Sequence, residues 1–299
     1  MTYCSTWSRV LAEPLAGTAP VARAWLAVEQ PGPWGRNALT ESHLDPGLGA
    51  ELDRRAADAG IRVALIRPPG RHADTHHLVP RRILLAYTAP GRTWLEHAVV
   101  SDPAELLDLD LAALAAGERP GLGEPVAEPT LLVCTNARRD TCCALGGRPL
   151  AQHLARGYGD RVWETSHLGG HRFAPTAVVL PAGYAHGRIE DGAALLKAAE
   201  AGEVALETCR GRSTWARPGQ VAELAVRHRT GESAVDALRV GEPVGDGAGA
   251  WLVHVTHADG RTWQVRVVRR PAEPPRPESC GKPPGRPDTY VAKEVSPRA

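Results

Sequence analysis

The sequence lacks an excess of charge of either sign. It contains 35 basic and 34 acidic residues, which gives a formal net charge of +1. Surfaces that bind nucleic acid or anionic lipid usually carry an excess of Lys and Arg, because the partner is itself negatively charged. We therefore expect neither nucleic acid nor a membrane as the main partner of this protein.

Long apolar runs are also absent. No window approaches the roughly 20 apolar residues that a membrane-spanning helix needs, and Glu13 and Pro14 interrupt the apolar residues near the start. A secretory signal requires an uninterrupted apolar segment in that region. We therefore expect no membrane span and no secretory signal, and hence a soluble protein of the cytoplasm.

Sulfur-containing residues are scarce. With one Met and one Phe, the core must rest on Leu, Val, Ala and Trp. Six cysteines among 299 residues are too few for a disulfide scaffold, yet three of them lie within 134–143. In a reducing compartment such a group more commonly binds metal or does redox chemistry than forms structural bridges.

Two motifs of redox proteins are missing as well. The sequence has no C-x-x-C pair, which is the usual signature of thiol oxidoreductases. It also has no G-x-G-x-x-G between a predicted strand and a predicted helix, so it carries no flavin or nicotinamide fingerprint. If this protein handles electrons, an external redox partner must supply or accept them.

The predicted elements occur twice in the same order. The first half gives a strand at 22–30, a helix at 45–60, strands at 61–68, 82–88 and 93–100, and a helix at 102–117. After a linker rich in Pro and Gly, the second half gives a strand at 130–135, a helix within 143–157, a strand at 160–167, a hairpin at 176–190 and a helix at 191–202. Each half reads β-α-β-β-β-α, which places the chain in the α/β class. Aligning 77–92 with 172–188 superposes Pro80 on Pro175, a weak match that leaves an ancient duplication open.

The pattern changes after Cys209. We expect two short helices over 217–240 and a hairpin over 250–270, with the Asp259-Gly260 dipeptide in its turn. The end of the chain is rich in Pro and is expected to be partly disordered. The sequence thus predicts three parts: 1–120, 128–205, and a small α+β appendage at 206–299.

Two short stretches are typical of a functional site, CTNARRDTCC at 134–143 and HLGGHRF at 167–173. Thiolates are strong ligands of iron and zinc, and neutral imidazole binds the same metals. Gly169 and Gly170 disfavour a helix and favour a loop whose backbone lies close to something bulky. Structural zinc sites usually pair cysteines two to four residues apart, so the wider spacing of Cys134 and Cys143 is unusual for them. A [2Fe–2S] cluster, by contrast, accepts two His in place of two Cys.

Ordinary explanations exist for the same residue types. Cysteine is often buried as a small apolar side chain, and His pairs four residues apart occur by chance. His72 and His76 have this spacing in the first half, but no thiol or Gly pair accompanies them. The remaining candidates are predicted to be structural: Cys4, Cys209 and Cys280 as free thiols, Asp140 as a helix or turn cap, and His153 as a helix residue.

Together the two stretches resemble the sucrase/ferredoxin-like family, whose pattern is C-x8-C followed by H-x-G-G-H. The resemblance is sharp over roughly 130–190 and implies a thioredoxin-like fold, present in two tandem halves if the first half is a copy. It further implies one [2Fe–2S] cluster in 128–205 and none of its ligands in 1–120. The implied ligands are Cys134, Cys143, His167 and His171, with Cys142 as an alternative to Cys143. The implied surroundings are Arg138, Arg139, Gly169, Gly170, Arg172 and Pro175, the last at the place where thioredoxin-like folds keep a cis-proline.

The resemblance implies one-electron transfer or redox sensing, and it favours an electron carrier over a stand-alone enzyme. The "sucrase" in the family name gains no support, because no carboxylate pair is placed for glycoside chemistry. Three alternatives stay open: a zinc-stabilised binding domain with the same ligands, a thiol oxidoreductase with Cys142 or Cys143 as nucleophile, and a metal-free structural protein. The sequence indicates neither the redox partner nor the oligomeric state.

Overall fold

The structure is a computed structural model that describes residues 3–71, 80–247 and 249–298. Its main element is a ten-stranded mixed sheet. The strands are β1 (Ala24–Glu29), β2 (Ile61–Arg67), β3 (Arg81–Tyr87), β4 (Trp94–Val100), β5 (Glu124–Pro125), β6 (Thr130–Cys134), β7 (Val162–Thr165), β8 (Thr176–Leu180), β9 (Tyr184–Gly187) and β10 (Cys209–Arg212).

Helices cover this sheet and a second, smaller one. The α-helices are α1 (Cys4–Val10), α2 (Ala38–Glu41), α3 (Pro46–Asp58), α4 (Leu111–Ala116), α5 (Thr141–Tyr158), α6 (Gly192–Glu200) and α7 (Arg217–Thr230). Short 3-10 helices lie at Pro103–Asp108, Gly159–Arg161, His171–Phe173 and Leu206–Thr208. Among the residues that the structure describes, none of the helices combines the length and the apolar character that crossing a bilayer requires.

The large sheet consists of two blocks with the same strand order. The full order is β10-β9-β8-β6-β7-β2-β1-β3-β4-β5. In the first block β1 pairs in parallel with β2 and antiparallel with β3, which pairs with β4. In the second block β6 pairs in parallel with β7 and antiparallel with β8, which pairs with β9. The predicted α/β class and the repeated order of strands and helices are therefore both present.

The strands are apolar because the sheet is covered on both faces. Trp25, Leu26, Ile66 and Leu85 are fully buried, and their side chains divide between two core clusters on opposite faces of the first block. Leu132 and Cys134 of β6 belong to the same cluster as Trp25 and Ile66. The two blocks therefore share one continuous core.

One predicted element in the first half differs from the structure in detail. The helix expected over 102–117 is broken, because two Asp residues each start a helix of their own. Asp102 caps the 3-10 helix Pro103–Asp108 by accepting a hydrogen bond from the N–H of Ala104. Asp110 then caps α4 by accepting from the N–H of Ala113, and the extended Leu109 separates the two.

The C-terminal region contains more strand than predicted. α7 is a single helix that ends at the left-handed Gly231, so the second of the two helices expected over 217–240 is wrong. A five-stranded antiparallel sheet follows, and it includes the predicted hairpin. Its strands are β11 (Leu238–Val240), β12 (Val244–Gly245), β13 (Ala250–His257), β14 (Thr262–Pro271) and β15 (Asp288–Arg298).

The expectation of a partly disordered end is wrong for 288–298. β15 pairs with β14 along its whole length, and Ala292 and Val295 pack on the core beneath α7. The Pro-rich segment between β14 and β15 contains no helix or strand, as expected. β10, which opens the predicted 206–299 part, is an edge strand of the large sheet instead of a piece of the smaller one.

The two blocks of the large sheet meet through β2 and β7, and a buried ion pair lies at this junction. Arg67 of β2 and Glu164 of β7 are partners in the strand register, and Arg67 Nη2 lies 2.8 Å from Glu164 Oε2. The Thr135 hydroxyl donates to the same carboxylate at 2.9 Å. Thr135 follows Cys134 directly, so the junction also fixes the end of β6.

We predict that Glu164→Gln, which keeps the shape of the side chain but removes its charge, lowers the free energy of unfolding by about 3–5 kcal/mol, because Arg67 then carries an uncompensated buried charge. Urea unfolding followed by circular dichroism measures this loss. The matched control is Glu51→Gln, which removes one partner of the exposed pair with Arg54 and should leave the midpoint nearly unchanged. Equal midpoints for wild type and Glu164→Gln would contradict the prediction.

Candidate metal centre

The sheet brings the ends of two neighbouring strands to one edge. β6 ends at Cys134, and its parallel partner β7 ends at Thr165, two residues before His167. Parallel strands present their carboxyl ends on the same side of a sheet, where ligands usually bind. β8 runs antiparallel to β6, so the segment that precedes it, which contains His171, reaches the same edge.

α5 begins at this edge as well. Asp140 is its N-cap, as predicted, and the Asp140 carboxylate accepts a hydrogen bond of 2.9 Å from the N–H of Cys142. This cap sets the first turn of α5 and so directs Cys143 towards Cys134. The chain returns from β6 to α5 within six residues, which lets the two thiols meet.

Three of the four predicted ligands have donor atoms in mutual proximity. The Sγ atoms of Cys134 and Cys143 and a ring nitrogen of His167 all lie within 4.8 Å of one another. Both thiols are buried, and His167 is half-buried. The ring centroid of His171 lies 5.2 Å from that of His167. Two thiols and the His167 ring, from β6, α5 and the loop after β7, thus surround one point, and the His171 ring lies beside His167.

The imidazoles carry buried nitrogens that need a partner. Among the residues that the structure describes, His167 Nδ1 and both ring nitrogens of His171 are buried and accept or donate no hydrogen bond. His171 Nε2 lies 3.6 Å from Asp140 Oδ2, which is too long for a hydrogen bond. Buried polar atoms without partners are costly and uncommon. A metal ion bound between the rings and thiols would satisfy such nitrogens, so the donor set fits a metal centre.

The protonation of Cys134 and of His171 favours ligation, whereas Cys143 must lose its proton when a metal binds. The Cys143 thiol, the His167 ring and the Leu168 N–H all hydrogen-bond to Cys134, and together they hold the pKa of Cys134 well below its usual value despite full burial. The pKa of Cys143 is raised well above normal, because its proton is the one shared with Cys134 and because it is buried. Burial also lowers the pKa of His171. Thiolate and neutral imidazole are the forms that bind metal.

Close backbone contacts hold the elements of the site against each other. A Cβ built on Gly147 of α5 would lie 2.1 Å from the carbonyl oxygen of Cys134, so the helix can approach β6 only with glycine at this position. Gly170 has a φ of +68°, and a Cβ there would lie 2.2 Å from Arg210 Nη2. The Gly169-Gly170 loop is therefore close to a bulky group, as predicted, and that group is a guanidinium.

Arg210 is a residue of the site that sequence reasoning missed. It is fully buried on β10, and its guanidinium donates to the carbonyl oxygens of Gly169 and Thr18. Burial lowers the pKa of Arg210 to about 9, the positive charge of Arg172 adds to this, and the thiols of Cys134 and Cys143 oppose it. No local motif marks Arg210, because it lies 39 residues after His171 in sequence. The only signal was the sequence of β10, Cys-Arg-Gly-Arg, in which two arginines alternate with small residues.

The predicted surroundings have different roles. Arg172 donates to Glu13 Oε1 at 2.8 Å, and Arg138 is exposed. Arg139 lines a cavity of about 470 Å³ together with Arg36, Arg62 and His167. The Ala174–Pro175 peptide bond is cis, as predicted. His72 and His76 lie outside the described residues.

Three other cysteines form an unexpected group. Cys4, Cys142 and Cys280 lie together with Asp140, all four donor atoms being within 4.8 Å of one another. Cys142, the predicted alternative ligand, therefore lies with this group and not with Cys134. Cys4 and Cys280 are free thiols, as predicted, but their sulfur atoms lie 3.6 Å apart, and no local spacing could reveal a contact across 276 residues. Cys209 is a buried free thiol, as predicted.

Paired thiols and imidazoles at the edge of an α/β sheet define a candidate site for a thiophilic metal. The sequence model of the sucrase/ferredoxin-like family matches residues 15–211. The chain therefore belongs to the sucrase/ferredoxin-like family, and the resemblance drawn from the two motifs is confirmed. No curated protein and no solved structure matches the chain significantly.

We predict that Gly147→Ala lowers the free energy of unfolding by about 1–3 kcal/mol, because the added methyl group forces α5 away from the Cys134 carbonyl. Chemical denaturation measures the change. Gly157→Ala is the matched control in the same helix, since a Cβ at Gly157 meets nothing within 4 Å. That control should be neutral or stabilising, and a loss as large as that of Gly147→Ala would contradict the packing argument.

Proposed function

We propose that this protein holds one [2Fe–2S] cluster through Cys134, Cys143, His167 and His171, and that it works in one-electron transfer or redox sensing. One observation carries the proposal. Two thiols and the His167 ring converge within 4.8 Å, while buried nitrogens of His167 and His171 lack partners among the described residues. Membership of the sucrase/ferredoxin-like family supports the choice of an iron–sulfur cluster.

The donor set also indicates the kind of redox chemistry. A bound [2Fe–2S] cluster supplies reversible one-electron chemistry. Two neutral imidazoles in place of two thiolates make the centre less negative, so reduction becomes easier. Centres of this type have potentials of about −150 to +300 mV, against about −400 mV for plant-type ferredoxins with four thiolates.

The protein's own residues tune this site in two ways. The Leu168 N–H, the half-buried Arg62 and the buried Arg210 place positive charge or hydrogen-bond donors near the Cys134 sulfur. Arg62 also donates to the carbonyl oxygen of His167 at 2.5 Å, which holds the loop after β7. The two thiols lie in the apolar core and are shielded from water, whereas His167 faces the cavity lined by Arg36, Arg62 and Arg139. We infer that an external redox partner with an acidic surface approaches on the His167 side.

We further propose that the chain contains two thioredoxin-like units, of which one holds the cluster. The order β7-β6-β8-β9, with α5 after β6 and α6 after β9, supports a thioredoxin-like unit within 128–205. The order β2-β1-β3-β4 supports a second such unit within 1–120 that serves as scaffold. The competing function is a zinc-stabilised binding domain, because the same four donors suit zinc.

The colour of the purified protein separates these two functions. We predict that protein purified without oxygen is red-brown, absorbs in the visible, bleaches with dithionite, and contains two iron atoms and two sulfides per chain. Cys134→Ala and His171→Ala should abolish the absorption. The matched controls are Cys209→Ala, a buried thiol elsewhere, and His153→Ala, an exposed imidazole on α5, and both should keep it.

The opposite result is equally clear. A colourless protein that contains zinc in place of iron would reject the cluster and favour the binding domain. An unchanged visible spectrum in His171→Ala would reject the His ligation even if a cluster is present.

The charge of Arg210 gives a second prediction. Arg210→Gln keeps hydrogen-bond donors but removes the positive charge near the thiols, so the reduction potential should fall by tens of millivolts, the order expected for one charge at about 10 Å in a medium of effective dielectric constant about 20. Redox titration followed by visible absorption measures the potential. Arg210→Lys retains the charge and is the control, and an equal fall in both variants would contradict the electrostatic explanation.

A further inference from the structure

We propose that Cys4, Cys142, Cys280 and Asp140 form a second metal site, which binds one zinc ion and ties α1 and the segment between β14 and β15 to the start of α5. Cys4 and Cys280 lie outside the residues that the family model matches. The site therefore joins two donors outside the matched residues to two inside them, Asp140 and Cys142, and it does not depend on which metal occupies the first centre.

The distances among the donor atoms fit one tetrahedral ion. The Sγ atoms of the three cysteines form a triangle with sides of 3.6, 3.3 and 3.6 Å. Both carboxylate oxygens of Asp140 lie 3.7 Å from the Cys4 sulfur. A zinc ion with Zn–S bonds of about 2.3 Å and tetrahedral angles places sulfur atoms about 3.8 Å apart and a ligand oxygen about 3.6 Å from sulfur. Shifts of a few tenths of an ångström close this site around the ion.

A disulfide does not account for the same arrangement. A disulfide would bring two sulfurs to about 2.05 Å and leave the third thiol and the carboxylate beside it without a role. All six cysteines are free in the structure. In a tetrahedral metal site, three of the four ligand atoms form a triangular face, and the three sulfur atoms have this arrangement.

Charge supplies an independent argument. Asp140 is buried, and its carboxyl oxygens accept hydrogen bonds from the N–H groups of Cys280 and Cys142 and from the Ser279 hydroxyl. The group is therefore a buried carboxylate. Within the described part of the chain, the basic side chain near it is His171, whose Nε2 lies 3.6 Å from Asp140 Oδ2, too far for a hydrogen bond. Buried charges are normally paired or bound to a metal.

The surroundings hold the donors in place as they do in known metal sites. Ser279 Oγ and the Cys280 N–H each donate to Asp140 Oδ2 at 2.8 Å, and the Cys142 N–H donates to Oδ1 at 2.9 Å. Ser5 Oγ donates to the Cys142 sulfur at 3.2 Å. Such hydrogen bonds orient ligands and are part of a working site.

The chemistry of the donors selects zinc. Three thiolates favour zinc, copper(I) or iron–sulfur clusters, and a carboxylate as fourth ligand suits zinc better than copper(I). Four protein ligands leave no open position, which is typical of a structural zinc site. Binding of Zn²⁺ displaces the thiol protons to solvent and involves no change of oxidation state.

The site is also separate from the first centre. Cys142 packs with Cys4, Ala174 and Cys280, whereas Cys143 packs with Cys134 and Leu168 in the main core. Adjacent thiols of one helix turn thus face two different groups of donors. The two centres can therefore be emptied one at a time.

Metal analysis of the full chain tests the proposal. Protein from zinc-supplemented cells, assayed for zinc and iron by mass spectrometry, should contain close to one zinc per chain. The Cys280→Ala and Cys4→Ala variants should contain at least about tenfold less zinc per chain. Both variants should keep the visible absorption of the wild type. Cys209→Ala should keep both metals, and Cys134→Ala should lose iron but keep zinc.

Cobalt(II) provides a second readout that does not depend on iron. Added to metal-free Cys134→Ala, it should give thiolate-to-cobalt absorption in the near ultraviolet, and Cys134→Ala/Cys280→Ala should give at least about tenfold less. Wild-type protein that contains no zinc and takes up none from excess zinc overturns the proposal. Denaturing alkylation without reductant that adds four alkyl groups instead of six, and so shows a disulfide among Cys4, Cys142 and Cys280, overturns it as well. If Cys134→Ala loses its colour but keeps its zinc, the second site is intact. The zinc content therefore tests the second site separately from the visible absorption, which tests the first centre.

Discussion

The parallel pairing of β6 with β7 is the contact on which the candidate centre depends. It aligns Cys134 with Thr165 and so carries Cys134 and the loop with His167 to the same edge of the sheet. The Thr135 N–H extends this pairing by donating to the Thr165 carbonyl, and the Ser166 N–H continues it to Leu65 of β2. The donor atoms therefore converge because of the backbone, before any side chain contributes.

The first half of the chain has the strand order of the second but a different role. It supplies β2, which pairs with β7, and two arginines from that strand: Arg67 holds the junction, and Arg62 donates to the loop with His167. These contacts reach the candidate centre from the first half through one backbone acceptor, the His167 carbonyl oxygen, and through one ion pair. The C-terminal region supports it from the other side, through Arg210 on β10 and the segment that carries Ser279 and Cys280.

The sequence was most informative where structure is local. The strands of both halves are apolar runs bounded by Gly and Pro, the cap residues Asp102 and Asp140 precede their helices, and Asp259-Gly260 turns a hairpin, so all of these could be predicted. The break in the helix after Asp108 could not, because two adjacent caps compete and only packing decides between one helix and two. β11 and β15 could not either, because their partners lie on strands distant in sequence.

The same division applies to the site. Cys134, Cys143 and His167 are brought together by one strand, the start of one helix and one loop. These elements follow each other closely in the chain, so the spacing of the motif residues could predict that they meet. Arg210 and the group of Cys4, Cys142 and Cys280 depend on contacts between segments far apart in the chain, and no spacing records them.

The Asp140 cap fixes the residue at which α5 begins. Successive residues of a helix point about 100° apart, so Cys142 and Cys143 can serve two neighbouring groups only while α5 starts at one fixed residue. Winding the helix one residue earlier or later would present the wrong sulfur to each side. Asp140 also accepts hydrogen bonds from Ser279 and Cys280. A segment about 140 residues away therefore helps to fix where α5 begins, and with it which group of donors Cys142 and Cys143 each face.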